Sequence, residues 1–556
     1  MESLVHRIER VVLVGFSGTG KTTVARLVAQ RLGWTSVDTD VAIEAAYGID
    51  IPQIFRLHGE SAFRTAERAA LAHAIALCDI VVATGGGATI DPAVWSEDLL
   101  GRAGTLVVTL DAQPATILRR LRAQQEVEGS FAERPLLSGD DPLDRIEHLK
   151  EERQVAYDAS PITLVVDHAT PELIADEITA IVDGISGLGM PEIRLNAASA
   201  PSQILVGTGL SHRLGELVRS RWPQANRTWV VTDETVGEMY GQECLDGLNA
   251  SGSNASLITV PVGERSKSLE QVRRLYDWLL NGGVERGDVV VAYGGGVVGD
   301  LAGFVAATVL RGVELVQVPT SLLAMVDSCV GGKTGINHPA GKNLIGAFLQ
   351  PSLVVIDPSA LETLPHRHVV AGWAEIVKHA VIQASTPGGE RGDLATFLAR
   401  NARALSPAVD PAISYLIWRN VDLKARVVAA DEREAGIRAF LNFGHTLGHA
   451  IEAAGYTLLH GEAVALGMRA AMRIGSQLGL CEDADVARVD ALLDQFGLPR
   501  HAPIDAKLVI AGLTSDKKRA AGRQRWVMPL AGGGVKLRDD VAPEMVEAAL
   551  HAVVQQ

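Results

Sequence analysis

The stretch "RVVLVGFSGTGKTTVARLVAQRLG" (residues 10–33) joins an apolar strand to a helical segment through a glycine-rich turn. Residues 15–22, "GFSGTGKT", fit the pattern G-x-x-x-x-G-K-[ST], whose glycines free backbone N–H groups to surround phosphate oxygens at a helix N-terminus. In that arrangement Lys21 reaches the outer phosphates and Thr22 holds Mg²⁺. The residues predicted to bind a nucleotide in this turn are Gly15, Gly18, Thr19, Gly20, Lys21, Thr22 and Thr23.

The composition argues against several classes of function. The chain has 556 residues and a formal net charge of −15, which disfavours general binding to nucleic acid or anionic membranes because both need a basic face. The four cysteines are far apart and form no CxxC pair, as is typical of a reducing compartment and not of a zinc ribbon or disulfide scaffold. The first residues predict neither a signal peptide nor a membrane span. We therefore expect a soluble, cytoplasmic protein.

The pattern of apolar residues predicts several domains, as the length of the chain does. Short runs rich in Val and Ile, such as "DIVVATGGG" and "DVVVAYGGG", alternate with helical patterns through about residue 357 and predict parallel strands covered on both faces. Helical patterns dominate from residue 358 onward. The predicted fold class is α/β: a domain at 1–184 with a parallel sheet and helices on both faces, a linker at 185–200, a Rossmann-like α/β domain at 191–357 and a mostly helical domain at 358–556.

Polar residues after the first strands are candidates for completing the nucleotide site. Asp38 and Asp40 in "VDTD" project to one side of the chain, and Arg64 and Glu67 have helical spacing. Each also has an ordinary structural interpretation: Asp38 as a helix cap, and Arg64 with Glu67 as a surface ion pair of little energetic weight. The other candidates are Gly86 and Gly87 at the end of a strand, Arg134 in "ERPLL" and Arg153 in "EERQVAYDAS".

Together these motifs make residues 8–180 resemble shikimate kinase. The resemblance implies that the nucleotide is ATP, that Thr22 and Asp38 hold Mg²⁺, the latter through water, and that Arg134 lies in a lid closing on ATP. It implies that shikimate is bound by Asp40, Arg64, Gly86, Gly87 and Arg153, with Lys21, Asp40 and Arg134 as catalytic residues. The chemistry agrees, because arginines suit the carboxylate of shikimate and Asp40 can orient or deprotonate its attacking hydroxyl.

The second half contains glycine-rich loops that carry cations. Gly294, Gly295 and Gly296 let the backbone approach a ligand at a strand end, although the pattern is not G-x-G-x-x-G. Lys333 and Lys342 lie in "VGGKTGIN" and "GKN", where ammonium groups suit phosphate or carboxylate. With further basic residues they make an anion pocket plausible in this acidic chain: Arg311, Lys378, Lys424 and Arg438.

Three histidines occur in "NFGHTLGHAIEAAGYTLLHGE" (442–462). His445 and His449 have i, i+4 spacing and project from one helical face, and His460 follows after a turn. Glu375 in "GWAEIVKHA" could supply an oxygen, and catalytic zinc sites commonly use three protein ligands. Spacing alone would make both His445 and His449 ligands, whereas a lone histidine is usually a hydrogen-bonded core residue.

The order of these motifs makes residues 191–556 similar to 3-dehydroquinate synthase. The resemblance assigns the metal, zinc or cobalt, to Glu375, His445 and His460, and places His449 on the substrate side. It implies NAD binding by Asp233, Glu264, Lys267, Gly295, Gly296, Asp300, Thr320, Ser321, Lys333, Lys342 and Thr363. It implies contacts with the substrate, a seven-carbon keto-acid phosphate (DAHP), by Arg311, Asp327, Lys333, Asn343, Lys378, Lys424, Arg438, Asn442 and His449, and by Lys517 or Lys518. Among these, Lys333, Lys378, Lys424, Arg438 and His449 would be catalytic.

The predicted reactions are phosphorylation of shikimate by ATP, and conversion of DAHP into 3-dehydroquinate and phosphate with recycled NAD. The resemblance also implies a homodimer through the second half. The alternatives are another small-metabolite kinase in the first half, and another sugar-phosphate cyclase or a polyol dehydrogenase in the second. A non-catalytic chain that binds ATP or NAD as a regulatory ligand is a further alternative, disfavoured because Lys21, Asp40, Glu375, His445 and His460 are all present.

Overall fold

Strand β1 (Arg10–Val14), which precedes the glycine-rich turn, is the central strand of a five-stranded sheet. All five of its residues are buried, as expected for a parallel sheet that is covered on both faces. All the strand pairs of this sheet are parallel. The strand order is β2–β3–β1–β4–β5, with β2 (Thr35–Asp38), β3 (Ile80–Ala83), β4 (Thr105–Asp111) and β5 (Ile162–Val165).

The helices of this first unit begin where the site residues lie. Helix α1 starts at Lys21, directly after the glycine-rich turn, and Asp38 caps α2 by accepting hydrogen bonds from the backbone N–H groups of Asp40 and Val41. Gly59, with φ of 79°, interrupts the helical geometry within α3. The described helices are α1 (Lys21–Leu32), α2 (Thr39–Tyr47), α3 (Ile51–Ile75), α4 (Pro114–Glu128), α5 (Pro142–Tyr157) and α6 (Pro171–Ile185), with a 3₁₀ turn at Pro92–Trp95.

A seven-stranded sheet forms the core of the second unit. Its order is β6–β7–β14–β11–β10–β8–β9, and only the edge strand β6 pairs antiparallel to its neighbour. Burial of every residue in β10 and β14 explains why these strands read as continuous apolar runs. The strands of this sheet are β6 (Ile193–Asn196), β7 (Pro201–Val206), β8 (Thr228–Asp233), β9 (Ala255–Val260), β10 (Val289–Gly294), β11 (Glu314–Pro319) and β14 (Leu353–Ile356). Two separate antiparallel pairs join β12 (Lys333–His338) to β13 (Gly341–Phe348) and β15 (Trp526–Pro529) to β16 (Val535–Arg538).

Helices surround this sheet and then dominate the chain after β14, as the sequence predicts. The first three are α7 (Leu214–Arg221), α8 (Glu234–Ala250) and α9 (Leu269–Asn281), and α10 (Gly296–Thr308) follows β10 directly. The later ones are α11 (His366–Ile382), α12 (Leu394–Leu405), α13 (Ala412–Ala430), α14 (His445–Ala454), α15 (His460–Gln477), α16 (Asp483–Gln495), α17 (Ala506–Arg519) and α18 (Pro543–His551). Short 3₁₀ helices lie at Leu210–Arg213, Glu264–Ser266, Val309–Arg311, Pro358–Glu362, Gln383–Ser385 and Ile437–Asn442, and a π-helix at Ala324–Ser328.

The computed structural model describes residues 8–128, 141–167, 169–186, 190–389, 393–405, 412–454, 457–519 and 525–554. Its contacts group the chain into one unit of Met1–Leu188 with Glu390–Ala412, and a second of Gly189–Gly389 with Ile413–Gln556. Two features differ from the predicted boundaries. The stretch predicted as a linker at 185–200 contributes strand β6 to the second sheet, because its Ile193 and Leu195 are buried. Helix α12, within the predicted helical domain, is grouped with the first unit.

Helix α12 contacts the edge strand β5 of the first sheet. The amide of Asn401 accepts a hydrogen bond from the backbone N–H of Thr163 (2.7 Å) and donates one to its carbonyl oxygen (3.0 Å), which satisfies an edge residue as a further strand would. Arg400 forms an ion pair with the buried Asp111 at 3.1 Å. In the described part of the chain, no helix is long and apolar enough to cross a membrane.

Candidate active sites

The glycine-rich turn has a backbone that only glycine adopts readily. Gly15, Gly18 and Gly20 have φ angles of 129°, 82° and 95°. A Cβ atom on Gly15 would also lie 2.3 Å from the carbonyl oxygen of Leu110 in β4. The turn is therefore fixed both by its own conformation and by close packing against the neighbouring strand.

Lys21 and Thr22 begin helix α1 and face acidic residues. Lys21 is buried, and its ammonium donates hydrogen bonds to the carbonyl oxygens of Gly15 (2.8 Å) and Phe16 (2.9 Å). Burial lowers the pKa of Lys21 to about 8, against the opposing effect of Asp40 and Asp38. Thr22 Oγ1 donates to Asp38 Oδ2 at 2.7 Å, so a hydroxyl and a carboxylate of the kind that Mg²⁺ prefers are in contact.

The helix cap predicted for Asp38 is confirmed, whereas Mg²⁺ binding by this residue stays a prediction. One carboxylate oxygen caps α2, and the other contacts Thr22 beside the glycine-rich turn. The interpretation of Arg64 and Glu67 as a surface pair is wrong, because the Glu67 side chain is only 5% exposed and its Oε2 accepts a hydrogen bond from Arg64 at 2.7 Å.

Two buried carboxylate oxygens face the glycines after β3. Asp40 Oδ1 and Glu67 Oε1 have no hydrogen-bond partner among the described residues, and a Cβ on Gly85 would lie within 2.7 Å and 2.5 Å of them, respectively. Burial and then the charge of Asp38 raise the pKa of Asp40 to about 6. Unpartnered buried carboxylate oxygens are costly, and substrate hydroxyl groups could satisfy them.

The predicted binding residues lie around these oxygens. A Cβ on Gly87 would lie 2.4 Å from the Arg64 guanidinium, and Arg153 donates to the Gly86 carbonyl at 3.5 Å. A cavity of about 240 Å³ lies here, lined by Arg64, Glu67, Arg68, Gly87 and Ala88 among others. Tyr157 also donates to the Gly86 carbonyl, at 2.6 Å; its position one helical turn after Arg153 was the signal that could have identified it. Arg134 lies outside the described residues.

In the second unit, helix α10 begins directly at the end of strand β10. Gly295 is its N-cap and Gly296 its first residue, so the N–H groups of a first turn lie at the carboxyl edge of the sheet. A Cβ on Gly296 would lie 2.9 Å from Ser328 Oγ, and the N–H of Thr320 donates to the Gly294 carbonyl at 3.1 Å. The position fits a dinucleotide that brings its phosphates close to the backbone.

Other residues predicted to bind NAD lie along the same edge of the sheet. Lys267 Nζ donates to Asp300 Oδ2 at 2.6 Å and contacts Asn343, and it lies 3.7 Å from Glu264. Asp233 ends β8 and caps α8, Ser321 follows β11, and Thr363 hydrogen-bonds Tyr240 at 2.5 Å after β14. Lys333 and Lys342 pair instead with Glu434 and Glu452, so this structure does not bring them into that group.

A buried cluster of charges lies between α11, α13 and the π-helix. Asp327 is 2.7 Å from Lys424 Nζ and 3.6 Å from Lys378 Nζ, and Lys378 forms a second ion pair with Glu375. Burial alone would raise the pKa of Asp327, but Lys378 and Lys424 outweigh it and hold that pKa well below its usual range. The pKa of Lys378 is raised, because Asp327 and Glu375 outweigh its burial, whereas burial lowers that of Lys424.

The Glu375 carboxylate lies close to two histidine side chains, although no hydrogen bond joins it to either of them. Glu375 is fully buried; its Oε2 is ion-paired with Lys378, and its Oε1 accepts no hydrogen bond among the described residues. Its Oε1 lies 3.5 Å from His445 Nε2 and 3.4 Å from His460 Nε2. Ligand atoms around a tetrahedral zinc ion are about 3.3 Å apart when each bond is about 2.0–2.1 Å long. The three atoms therefore fit one metal ion.

The histidine Nδ1 atoms have other partners, which leaves Nε2 for the metal. His445 Nδ1 is 3.1 Å from the Phe443 carbonyl, and His460 Nδ1 is 3.1 Å from Glu452 Oε2. Burial lowers the pKa of His445 to about 3. Burial alone would lower the pKa of His460, but the carboxylates of Glu375 and Glu452 outweigh it and raise that pKa to about 10. A divalent cation shared with Glu375 would replace that proton.

His449 lies in the same group but is exposed. Its ring centroid is 5.2 Å from that of His445 and 5.6 Å from that of His460, and ligand atoms of the three rings lie within 4.8 Å of one another. By distance alone, the three histidines could also bind a metal ion. Glu375 makes the shorter contacts, and its buried charge needs a cation far more than an exposed imidazole does.

The remaining predicted substrate residues divide into two groups. Arg438 is buried and donates to the carbonyl oxygens of Gly331 (2.7 Å) and Glu432, while Asn442 and Lys333 both contact Glu434. Arg311 is an exposed side chain in its 3₁₀ helix and, among the described residues, forms no ion pair with this cluster. The side chains of Lys517 and Lys518 lie outside the described residues.

Three residues of this region are not predicted by the sequence patterns. Glu434 has φ of 61° and holds Lys333 and Asn442, and Glu452 holds His460 and Lys342. His379 is fully buried, with Nδ1 3.0 Å from Asn420 Oδ1 and Nε2 3.8 Å from Asp327. Its position next to Lys378 was a possible signal, whereas nothing in the sequence separates Glu434 from the other acids of "DEREAG".

The folds and the two sites define a metabolic enzyme that joins a P-loop phosphotransferase to a Rossmann-like enzyme with a histidine–carboxylate cluster. The family model of shikimate kinase matches residues 17–183, and those of the N-terminal and C-terminal parts of 3-dehydroquinate synthase match residues 257–371 and 372–519. The 3-dehydroquinate synthase of Symbiobacterium thermophilum (strain DSM 24528 / JCM 14929 / IAM 14863 / T) is 47% identical over 354 residues, which are 63% of this chain and 97% of that protein.

The chain therefore belongs to the 3-dehydroquinate synthase family and carries a shikimate kinase domain before the synthase. It is a bifunctional enzyme of the shikimate pathway. A 2-epi-5-epi-valiolone synthase, ValA of Streptomyces hygroscopicus subsp. jinggangensis 5008, solved with NAD⁺ and Zn²⁺, is 29% identical with a TM-score of 0.57, covering 63% of this chain and 95% of that one. A 2-deoxy-scyllo-inosose synthase solved with carbaglucose-6-phosphate, NAD⁺ and Co²⁺ is 24% identical with a TM-score of 0.55, covering 65% and 99%, and supports the fold alone.

Proposed function

We propose that Glu375, His445 and His460 hold the metal ion of the synthase, and that the lysines beside them bind DAHP. The contact of Glu375 Oε1 with two imidazole Nε2 atoms at 3.5 Å and 3.4 Å supports this assignment most strongly. A mixed N/O set of three protein ligands suits zinc and leaves room for substrate oxygens. The zinc of the 29% identical ValA structure supports zinc over cobalt here.

The substrate would bind as an anion among buried cations. Lys378, Lys424 and Arg438 are 1%, 6% and 2% exposed, so their charges act with little screening by water. Lys333 and Asn442 are both held by Glu434, and a phosphate or carboxylate would compete with Glu434 for them. Asn343, next to Lys267, would connect this pocket to the NAD site. Arg311 would contribute near the phosphate.

NAD would lie along the carboxyl edge of the seven-stranded sheet, with its phosphates at the N-terminus of α10. Gly295 and Gly296 admit the backbone contact, and Thr320, Ser321, Lys267, Asp300, Glu264, Asp233 and Thr363 surround that edge. When bound, NAD stores a hydride reversibly and the metal polarises the substrate hydroxyl groups. His449, exposed beside both histidine ligands, would face the substrate and exchange protons with it.

In the kinase, Lys21 and the N–H groups of the glycine-rich turn would hold the phosphates of ATP, with Mg²⁺ at Thr22 and, through water, at Asp38. Arg64 and Arg153 would bind the carboxylate of shikimate. Asp40 would accept a hydrogen bond from the attacking hydroxyl and then its proton. Phosphoryl transfer needs mainly positioning and charge neutralisation, which this arrangement supplies.

One pair of variants tests both sites in the full-length protein. Lys21→Ala should abolish shikimate-dependent ADP formation and leave phosphate release from DAHP unchanged. His445→Ala should do the reverse. Loss of both activities in either folded variant would contradict the assignment of separate sites, as would full activity in both assays.

We propose further that the enzyme works in the cytoplasm and forms a homodimer through the synthase unit. Leu344 and Phe348 on β13 expose apolar side chains, 55% and 48% of their surfaces, which a second subunit could cover. Sedimentation analysis of the wild type and of Leu344→Glu tests this: a dimer that persists unchanged in the variant would exclude that face.

A further inference from the structure

Glu452 connects one of the proposed metal ligands to strand β13. It lies on α14, seven residues after His445, and therefore on the same helical face. Its side chain is 12% exposed. Its Oε2 lies 3.1 Å from His460 Nδ1, and its Oε1 lies 2.5 Å from Lys342 Nζ on strand β13. Both carboxylate oxygens are thus engaged by different parts of the same unit.

The contact with Glu452 determines how the His460 imidazole can act. A neutral imidazole has one N–H donor and one lone pair, so donation from Nδ1 to Glu452 leaves the lone pair on Nε2. That Nε2 atom is the one 3.4 Å from Glu375 Oε1. The Nδ1–H group of His445 instead donates its hydrogen bond to a neutral carbonyl, that of Phe443. A carboxylate acceptor makes an imidazole a more basic ligand than a carbonyl does.

We propose that Glu452 is a positioning residue of the metal centre: it fixes the tautomer and ring orientation of His460 so that Nε2 is presented to the metal. The proposal rests on the metal site proposed above and adds a residue outside the ligand set. Lys342 balances the charge of Glu452 and holds its carboxylate in place at the surface. Glu452 acts on the metal only through His460.

Metal affinity of the full-length protein measures this role directly. The metal-free protein is titrated with Zn²⁺ in competition with a chromophoric chelator. Removing an acceptor of this kind typically weakens metal binding 10- to 100-fold, so Glu452→Ala should raise the Kd for Zn²⁺ by about that factor. With saturating Zn²⁺ it should recover activity, with a KM for DAHP close to that of the wild type, because the Glu452 carboxylate is paired with His460 and Lys342 and, among the described residues, with none of those proposed to bind DAHP.

Two further variants separate positioning from general damage. Glu452→Gln keeps an oxygen that can accept a hydrogen bond from the Nδ1–H group of His460, and it should restore most of the Zn²⁺ affinity that Glu452→Ala loses. Glu243→Ala is the matched control, because Glu243 makes the same carboxylate contact with a histidine Nδ1, that of His212 (2.5 Å), on the exposed surface. It should bind Zn²⁺ like the wild type.

The outcomes distinguish this proposal from the underlying metal site. Wild-type affinity in Glu452→Ala, or equal weakening in Glu452→Ala and Glu452→Gln, overturns the positioning role. Lys342→Ala should change the Kd for Zn²⁺ by less than about threefold; a loss equal to that of Glu452→Ala would assign the effect to the ion pair instead. If His445→Ala also binds Zn²⁺ like the wild type, the metal site itself is wrongly placed.

Discussion

Oε1 of the fully buried Glu375 lies 3.5 Å from His445 Nε2, although His445 directs its Nδ1 to the Phe443 carbonyl and keeps only a lone pair on Nε2. Two electron-rich atoms face each other there, and burial removes the water that would otherwise separate them. A cation between the two atoms, with His460 as the third proposed ligand, would resolve the conflict.

This relationship predicts different effects for the two histidines on one face of α14. His445→Ala removes a ligand and should release the metal, whereas His449→Ala should keep full metal occupancy and lose turnover. Metal analysis of the purified variants, together with phosphate release from DAHP, distinguishes them. Metal lost from His449→Ala would restore the assignment that i, i+4 spacing alone suggests.

The pKa of Asp40, raised to about 6, predicts how the kinase activity depends on pH on the acid side. Asp40 must be ionised to accept the hydroxyl proton, so kcat/KM for shikimate should fall as the pH drops through about 6. It should be about tenfold lower at pH 5 than at pH 7. A profile that stays flat to pH 5 would exclude Asp40 as the base, and the synthase reaction measured in the same samples controls for loss of folded protein.

The same raised pKa makes Asp40 unfavourable for stability above pH 6. The folded state binds the Asp40 proton more tightly than the unfolded state, so this contribution to stability is full below about pH 4 and disappears as the pH rises through about 6. Asp40→Asn should therefore abolish phosphorylation and yet stabilise the kinase unit at pH 7 by about 1–3 kcal/mol. Thermal unfolding at pH 7 and pH 4 checks this, since the gain should shrink at the lower pH.

The parts of the fold and sites that the sequence predicts are those with local signals. The turn at 15–22, the runs that become β1 and β10, and the histidine pair each carry their chemistry within a few residues. Glu452 and Tyr157 were missed because their roles depend on contacts with residues far along the chain or on a neighbouring carbonyl. The grouping of α12 with the kinase unit likewise follows from tertiary contacts between residues 238 positions apart, which no local pattern encodes.

Arg64 should be essential for shikimate but not for ATP. Arg64→Ala removes the guanidinium beside Gly87 and leaves the buried Glu67 without its partner at 2.7 Å. We expect no shikimate phosphorylation, unchanged ATP binding by calorimetry, and a kinase unit destabilised by about 3 kcal/mol because a buried charge loses its partner. The double variant Arg64→Ala/Glu67→Gln should recover most of the stability and none of the activity. Normal turnover in Arg64→Ala would disprove its role in the shikimate site.

Cutting the chain at the predicted linker should preserve both activities but destabilise the kinase fragment. A cut between residues 187 and 200 leaves each set of site residues in one fragment, so both reactions are expected to persist.

The fragment 1–188, however, lacks Asn401, which hydrogen-bonds Thr163 on the edge strand, and Arg400, which forms an ion pair with Asp111 at the end of β4. Loss of the two Asn401 hydrogen bonds to a buried residue should cost about 2 kcal/mol. We therefore expect the kinase fragment to unfold several degrees below the kinase unit of the intact protein, and Asn401→Ala in the full chain to reproduce most of that shift. Equal melting temperatures for the fragment, the intact wild type and Asn401→Ala would show that α12 is no structural part of the kinase unit.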